Sequence, residues 1–352
     1  MLTFIEHEDY YKHKMPQILE SPRRLKVIQK AIKETNLLEN PYVKMASPDA
    51  VKAEDLYTIH TEHLVDTVKH GSMIGVTAIT GDTLTNEFTF LAGLRAVGGA
   101  KLAAEIAIKQ PDSVAYALVR PPGHHATHRN AMGFCFFNNG AFAANYLTKE
   151  QKIKKIAIID IDNHYGNGTA DLFYERSDIL TLSLHADPKY SFPFQGRITE
   201  IGEREGEGYN ICVPLPMEIG DKEYLTAFDR IIIPIVREYN PEVIFVSTGY
   251  DGLLGDPYGY LGQSVFGFQA IMERIANLAK EVCDGKIVMT LEGGYKFDEL
   301  GDAFLASVSP LIPNYQFSKD VDSKLTSSGS KNQLKNTLDE LKNILKPYWR
   351  ID

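Results

Sequence analysis

The sequence predicts a single α/β domain built on an open, mainly parallel β-sheet with helices on both faces. Short apolar runs rich in Val, Ile and aromatics read as buried strands: Ser113 to Val119, Lys155 to Ile161, Ile179 to Leu184, Glu242 to Thr248 and Lys286 to Glu292. Segments of helical period separate most of them, clearest in "NEFTFLAGLRAVGGAKLAAEIAIK", "KEYLTAFDRIIIPIVREY" and "FGFQAIMERIANLAKEVC". Strands that are apolar on both faces and alternate with helices belong to a sheet covered on both sides. At 352 residues the chain is long enough for one large core of this kind.

Composition narrows the function classes. Apolar residues make up 44% and charged residues 24%, the balance of a soluble globular protein. Against 46 Asp and Glu stand 37 Lys and Arg, a net charge of -9, so no basic footprint exists for direct nucleic-acid binding and cationic ligands are favoured. Cys135, Cys212 and Cys283 lie far apart, which excludes a disulfide framework and a thiolate zinc site and points to a reducing compartment. The start "MLTFIEHEDYYKHK" carries charges too early for a signal peptide, and no run reaches the roughly 18 apolar residues of a membrane span. The expected location is cytoplasmic with no membrane partner, and the Asn167-Gly-Thr169 sequon carries no weight there.

Low complexity is confined to Ser318 to Gln333, a Ser/Lys/Asp linker before the amphipathic "LKNTLDELKNILKPYW". The expected division is 1–316 for the domain and 317–352 for a polar linker and a C-terminal helix packed on it.

Open parallel sheets bind ligands beyond the carboxyl ends of their strands. The residues that follow the predicted strands are "RPPGHHATH", "IDNHYGNG", "SLH", "GYDGLLGDP" and "GGY". Polar chemistry therefore converges on one rim. In "DIDNHYGNG", Asp160, Asp162 and His164 alternate at about 3.3 Å per residue if the strand continues, which would bring all three to a common centre. A calcium loop fails because Tyr165 stands where such a loop needs Gly. A plain polar turn stays open. A mononuclear catalytic zinc needs about three protein ligands and an open position. Asp162 and His164 supply two, and Asp251 at another strand end is the natural third. This donor set suits Zn2+ and also accommodates Fe2+, Co2+ or Mn2+. Asp251 taken alone reads equally as a turn aspartate.

Beside such a metal the adjacent His124 and His125 acquire a use: one imidazole takes a proton from water while the other donates to a leaving amine. Asp160 and Asn167 are candidates to orient them. Tyr295 in "EGGY" can offer its hydroxyl to an oxyanion, or be a core tyrosine.

Together, "RPPGHHA", "GFCFFNN", "DIDNHYGNGT", "SLH", "GYDGLLGDP" and "LEGGY" resemble, in order and chemistry, the histone deacetylase and acetylpolyamine amidohydrolase superfamily, from about His7 to Leu311. The Asn at 167 resembles its class II branch. The resemblance implies the arginase/deacetylase fold, with a sheet of about eight strands. It implies Asp162, His164 and Asp251 as zinc ligands, His125 as general base, His124 as its partner, Tyr295 at the transition state, and Asp160 and Asn167 behind the histidines. Gly133, Phe134 and Phe192 match the walls of an acyl-lysine tunnel, Arg24 matches an arginine of an internal product channel, and Asp82 matches a rim carboxylate with a spacing one residue off. A structural potassium is implied at Asp160, Asp162, His164, Ser183 and Leu184, and a second at Phe173, Arg176, Ile179 and Tyr209. Tyr258 departs from the usual Leu or Met at the tunnel mouth and is expected to narrow it. Tyr165 replaces a common His, with little expected effect.

The implied reaction is metal-dependent hydrolysis of acetyl or short acyl groups from primary amines. The implied partner is an acetylated lysine of a protein or peptide, or alternatively an acetylated polyamine; acetylpolyamine-type members also imply a homo-oligomer. Competing readings are an arginase-like two-manganese ureohydrolase, for which Asn163 and Tyr165 stand where carboxylates are needed, and an inactive acyl-amine binder.

Overall fold

The computed structural model describes residues 1–15, 18–318, 325–327 and 331–351. Most of the expected linker therefore lies outside the described residues. An eight-stranded sheet runs in the order β2-β1-β5-β10-β9-β6-β7-β8. Its strands are β1 (Leu2–Ile5), β2 (Val43–Ala46), β5 (Val114–Ala117), β6 (Ile156–Asp160), β7 (Ile179–Ala186), β8 (Asn210–Leu215), β9 (Val243–Thr248) and β10 (Ile287–Leu291). A separate antiparallel hairpin pairs β3 (Ala78–Thr80) with β4 (Thr83–Leu84). Every pairing in the large sheet is parallel, a stricter arrangement than the mainly parallel expectation.

The five predicted strands stand as β5, β6, β7, β9 and β10, with ends shifted by up to two residues. Strands β1, β2 and β8 carry a weaker signal than the equally short strands that were predicted: "VKMA" of β2 exposes Lys44 and Met45, "NICVPL" of β8 holds Asn210 and Pro214, and "LTFI" of β1 opens the chain with no helical segment before it. Central strands β5, β6, β9 and β10 are buried at every position, so helices must cover both faces. One layer pairs α3 (Thr89–Ala107) with α4 (Asn139–Glu150); the other runs through α1 (Arg23–Glu34), α9 (Leu300–Val308) and α8 (Val265–Cys283). Helix α2 (Glu62–Ile74) packs outside α3, and the short α5 (Asn167–Phe173) follows β6.

The segment read as one helix, "KEYLTAFDRIIIPIVREY", divides into α6 (Asp221–Ala227), a π turn over Phe228–Ile232 and α7 (Ile233–Tyr239). Pro234 explains the break: it has no N–H and its ring crowds the carbonyl four residues earlier, so the backbone widens before it. At the C-terminus α10 (Lys331–Leu345) buries Leu334, Leu338, Leu341 and Leu345 against β8 and α6, and Trp349 Nε1 donates to Gly208 O at 2.6 Å.

Candidate active site

The carboxyl ends of β5, β6, β9 and β10 open into a cavity of about 440 Å³. Its lining includes Asp82, His124, His125, Gly133, Phe134, Asp162, His164, Phe192, Asp251, Tyr258 and Tyr295. Arg24, Asp160 and Asn167 lie behind it.

Strand β6 ends at Asp160, so the alternation expected to aim Asp160, Asp162 and His164 at one centre stops there. Asp160 turns back instead: Oδ1 accepts from Asp162 N at 3.0 Å and Oδ2 faces His124 Nδ1 at 3.0 Å. Asp162, His164 and Asp251 do converge, with one donor atom from each lying within 4.8 Å of the others. His164 Nδ1 sits 3.1 Å from both Asp162 Oδ1 and Asp251 Oδ2. Two buried carboxylates this close demand a cation between them. Despite its burial, the imidazole of His164 is held well above its ordinary pKa by Asp251 and Asp162. The donor set, two carboxylates and an imidazole around an open cavity, fits a mononuclear divalent ion. Backbone amides hold the far oxygens: Gly293 N donates to Asp162 Oδ2 at 2.8 Å and Asn163 N to Asp251 Oδ1 at 2.9 Å. Gly293 has to be glycine, because a Cβ there would lie 2.1 Å from Asp251 Oδ2.

The two histidines have rings 4.0 Å apart but different partners. Burial opposes a charge on His124, yet Asp162 and Asp160 outweigh it and raise its pKa to about 10. His125 Nδ1 faces Asn167 Oδ1 at 2.8 Å. Burial, then the positive charge of the neighbouring His124, push His125 well below its usual pKa. Burial raises Asp160 to about 6, with His124 as the opposing charge. One imidazole is thus kept cationic and its neighbour neutral, the separation that acid and base chemistry needs.

Tyr295 is buried with its phenol pKa far above normal, chiefly by burial, so it stays an O–H donor. Phe192 stands edge-on to His125 at 5.0 Å, and Phe134 lies 5.7 Å from Tyr258 and 6.1 Å from Tyr295. Gly133 adopts φ 56° and a Cβ there would meet His125 at 2.4 Å, so only glycine lets the tunnel wall approach the imidazole. Asp82, at the tip of the β3–β4 hairpin, accepts from Gly133 N at 3.3 Å and Thr83 Oγ1 at 2.9 Å. Arg24 is fully buried outside the cavity lining, 5.0 Å over the Tyr295 ring, donating to Gly294 O at 2.9 Å and to Glu292 O.

Of the positions expected to hold potassium, Asp160 and Ser183 are register partners across β6 and β7, with Leu184 next along β7. Ser183 Oγ also lies 2.9 Å from His185 Nδ1. At the second set, Phe173 O accepts from Arg176 N at 2.9 Å and Tyr209 O from Thr181 N at 3.0 Å, while Ile179 opens β7. Tyr165 is buried outside the cavity lining, its ring 4.8 Å from His185.

Two carboxylates inside the "LEGGY" and "GYDGLLGDP" motifs have roles that the local pattern does not reveal. Glu292 Oε2 accepts from Gly123 N at 2.8 Å and His124 N at 3.1 Å, tying "LEGGY" to "PPGHH". Asp256 accepts three backbone amides from Tyr258, Tyr295 and Lys296. The available signal was an acid placed at a strand end or turn among glycines.

The family profile described as "Histone deacetylase domain" matches residues 18–311. The chain belongs to the histone deacetylase family. It lies on the class II-like branch, and its reaction class is hydrolytic deacetylation. A "Probable deacetylase" of Archaeoglobus fulgidus is 36% identical over 293 residues, 83% of this chain and 80% of that protein. "Histone deacetylase 18" of Arabidopsis thaliana is 36% identical over 333 residues, 88% of this chain but 47% of the relative. "Histone deacetylase 7" of Homo sapiens is 39% identical over 251 residues, 68% of this chain and 26% of its own length. The chain thus spans most of the archaeal relative and under half of the other two. Among solved structures, the HDA15 HD domain superposes with a TM-score of 0.87 at 29% identity, covering 99% of this chain and 95% of that one. The same fold therefore carries the deacetylase from end to end. Among its described residues, no helix is long and apolar enough to cross a membrane.

Proposed function

We propose that the deacetylase removes acetyl and short acyl groups from acetylated lysine side chains of proteins or peptides, with acetylated polyamines as the alternative substrate, and uses zinc held by Asp162, His164 and Asp251. The observation that carries this reading is the convergence on one cavity of that triad, two adjacent histidines with different partners, Asp160 and Asn167, and Tyr295. A bound zinc ion would supply Lewis acidity toward the acyl carbonyl and the attacking water. The protein's own groups do the rest. His125, neutral with Nδ1 tied to Asn167, offers Nε2 to take the proton of water. His124, paired through Nδ1 with the Asp160 carboxylate, donates to the departing amine. Tyr295 O–H donates to the developing oxyanion. Phe134 and Phe192 enclose the methylene chain, with Gly133 between them and Asp82 at the rim. Arg24 supports the Tyr295 turn and is read as part of a product channel.

Fe2+ or Co2+ in place of zinc, potassium at Asp160, Ser183 and the backbones of Asp162, His164 and Leu184, and a second potassium at Phe173, Arg176, Ile179 and Tyr209 belong to the same proposal. So do a catalytic unit at 1–316 braced by 317–352, a homo-oligomer, and a cytoplasmic location, which the three buried free cysteines support. The ureohydrolase reading is disfavoured because Asp162, His164 and Asp251 form the one group of three or more potential ligands among the described residues.

Rates on acetyl-lysine peptide, acetylated polyamine and longer acyl-lysines, compared side by side with metal-replete protein, test the proposal. The peptide is expected to be the best substrate, and turnover of none of them would overturn the reading.

A further inference from the structure

Asp256 joins two walls of the cavity through one carboxylate. It is 5% exposed. Oδ1 accepts from Tyr258 N at 2.9 Å, a bond across two residues. Oδ2 accepts from Tyr295 N at 2.6 Å and Lys296 N at 2.9 Å, bonds across 39 and 40 residues. A local turn on the β9 side and a distant turn after β10 thus share one group. A carboxylate is acceptor-only with about four lone-pair sites, so it can take all three donors. Charge-assisted bonds of this kind are short and strong.

The side chains report the same junction. The Tyr258 and Tyr295 rings meet edge to face at 4.9 Å, and each approaches Phe134. Both rings line the cavity, whereas Asp256 does not. Asp256 therefore acts on the reaction only through the residues it holds.

We propose that Asp256 is a positioning residue that locks the tunnel-mouth Tyr258 and the oxyanion-directed Tyr295 into one rigid unit, so that acyl selectivity and the rate of the chemical step are set together. The proposal rests on the role given to Tyr295 above. Loss of the tie frees Tyr295 to drift, and misplacement of a reacting group by about 1 Å can cost on the order of 100-fold in rate. The same loss lets Tyr258 swing away from Phe134 and widens the mouth for longer acyl chains.

A double-mutant cycle on the whole 352-residue chain, zinc-loaded, tests this, combining Asp256→Asn with Tyr295→Phe at matched metal content. Asp256→Asn removes the charge and leaves one acceptor oxygen where two are used, so the Tyr258 amide and the Tyr295 and Lys296 amides cannot all be received. In the otherwise native chain it is expected to lower kcat about 10- to 100-fold with KM within about threefold, and to raise the relative rate on longer acyl-lysines. In the Tyr295→Phe background it is expected to cost less than about twofold more in kcat, because the group it positions is already gone. An unchanged kcat, or an equal loss in both backgrounds, would overturn the proposal and leave Asp256 a structural anchor. Full activity of Tyr295→Phe alone would instead remove the role of Tyr295, a separate failure. Should Asp256→Asn not yield folded, metal-loaded protein, Asp256→Glu enters the same cycle, since it keeps the charge and acceptors but displaces them by one methylene.

Discussion

His125 donates through Nδ1 to Asn167 Oδ1 over 2.8 Å, a neutral partner for a buried imidazole whose neighbour His124 faces the carboxylate of Asp160. A neutral amide leaves His125 unprotonated with Nε2 free. Asn167→Asp should reverse that preference, because an opposite charge raises the imidazole pKa by roughly one unit or more. The acidic limb of kcat/KM against pH is expected to move up by that amount. An unmoved limb would remove His125 as the base.

Removing the Tyr295 hydroxyl deletes one oxyanion donor. Tyr295→Phe is expected to lower kcat by about 100-fold or more while KM and bound metal change little. Steady-state kinetics with metal analysis on the same sample reads all three.

Asp162 and Asp251 are buried carboxylates that need a cation. Chelation should abolish turnover and lower the thermal midpoint, since an ion that binds only the native state stabilises it. Zinc should restore both at about one ion per chain. Asp251→Ala should fail to retain the ion under elemental analysis.

Tyr258 packs edge-on to Tyr295 at 4.9 Å and faces Phe134. Tyr258→Leu removes a ring from the mouth, and a pocket change of this size is worth on the order of 10-fold in discrimination. The ratio of kcat/KM for a long acyl-lysine over acetyl-lysine should rise by that factor. A ratio that stays put would refute the narrowing.

Three buried histidines away from the metal-binding triad are kept neutral chiefly by burial: His13 with a pKa near about 3, and His60 and His185 near about 4. Their folded pKa values lie below the unfolded 6.5, so the unfolded chain binds more protons below that pH. The contribution of these three histidines is complete above pH 6.5 and is lost as pH falls toward 4 and 3, each on the order of 3 kcal/mol at full titration. Denaturant midpoints should fall steadily over that window. His13→Gln should flatten the slope.

Leu341 is fully buried in α10 against the sheet edge at β8. Leu341→Ala should cost about 2 to 5 kcal/mol in chemical denaturation. The kcat of the folded fraction should not change, which would mark the C-terminal helix as a brace.

Much of the site was legible because its chemistry is written at strand ends. The apolar runs located β5, β6, β7, β9 and β10, and the residues released after them carried the triad, both histidines and Tyr295. Local pattern suffices there, since a strand buried on both faces announces its own end. Strands β2 and β8, interrupted by Lys44 and by Asn210 and Pro214, carry a weaker signal of this kind.

The family resemblance had already set Asp160 behind the histidines and Asp162 with His164 and Asp251, whereas local pattern alone left open which polar groups meet, and the tertiary structure is where those contacts are seen. Asp160 and Asp162 are two residues apart and chemically identical, yet the end of β6 turns one toward His124 and the other toward His164 and Asp251. Glu292 reaches the histidine turn across 169 residues and Asp256 reaches Tyr295 across 39. The sequence by itself determined the order of strands and helices along the chain and the kinds of donor available at the rim. Partner choice came from packing, because hydrogen bonds across such separations depend on where the sheet order β5-β10-β9-β6 brings strand ends side by side.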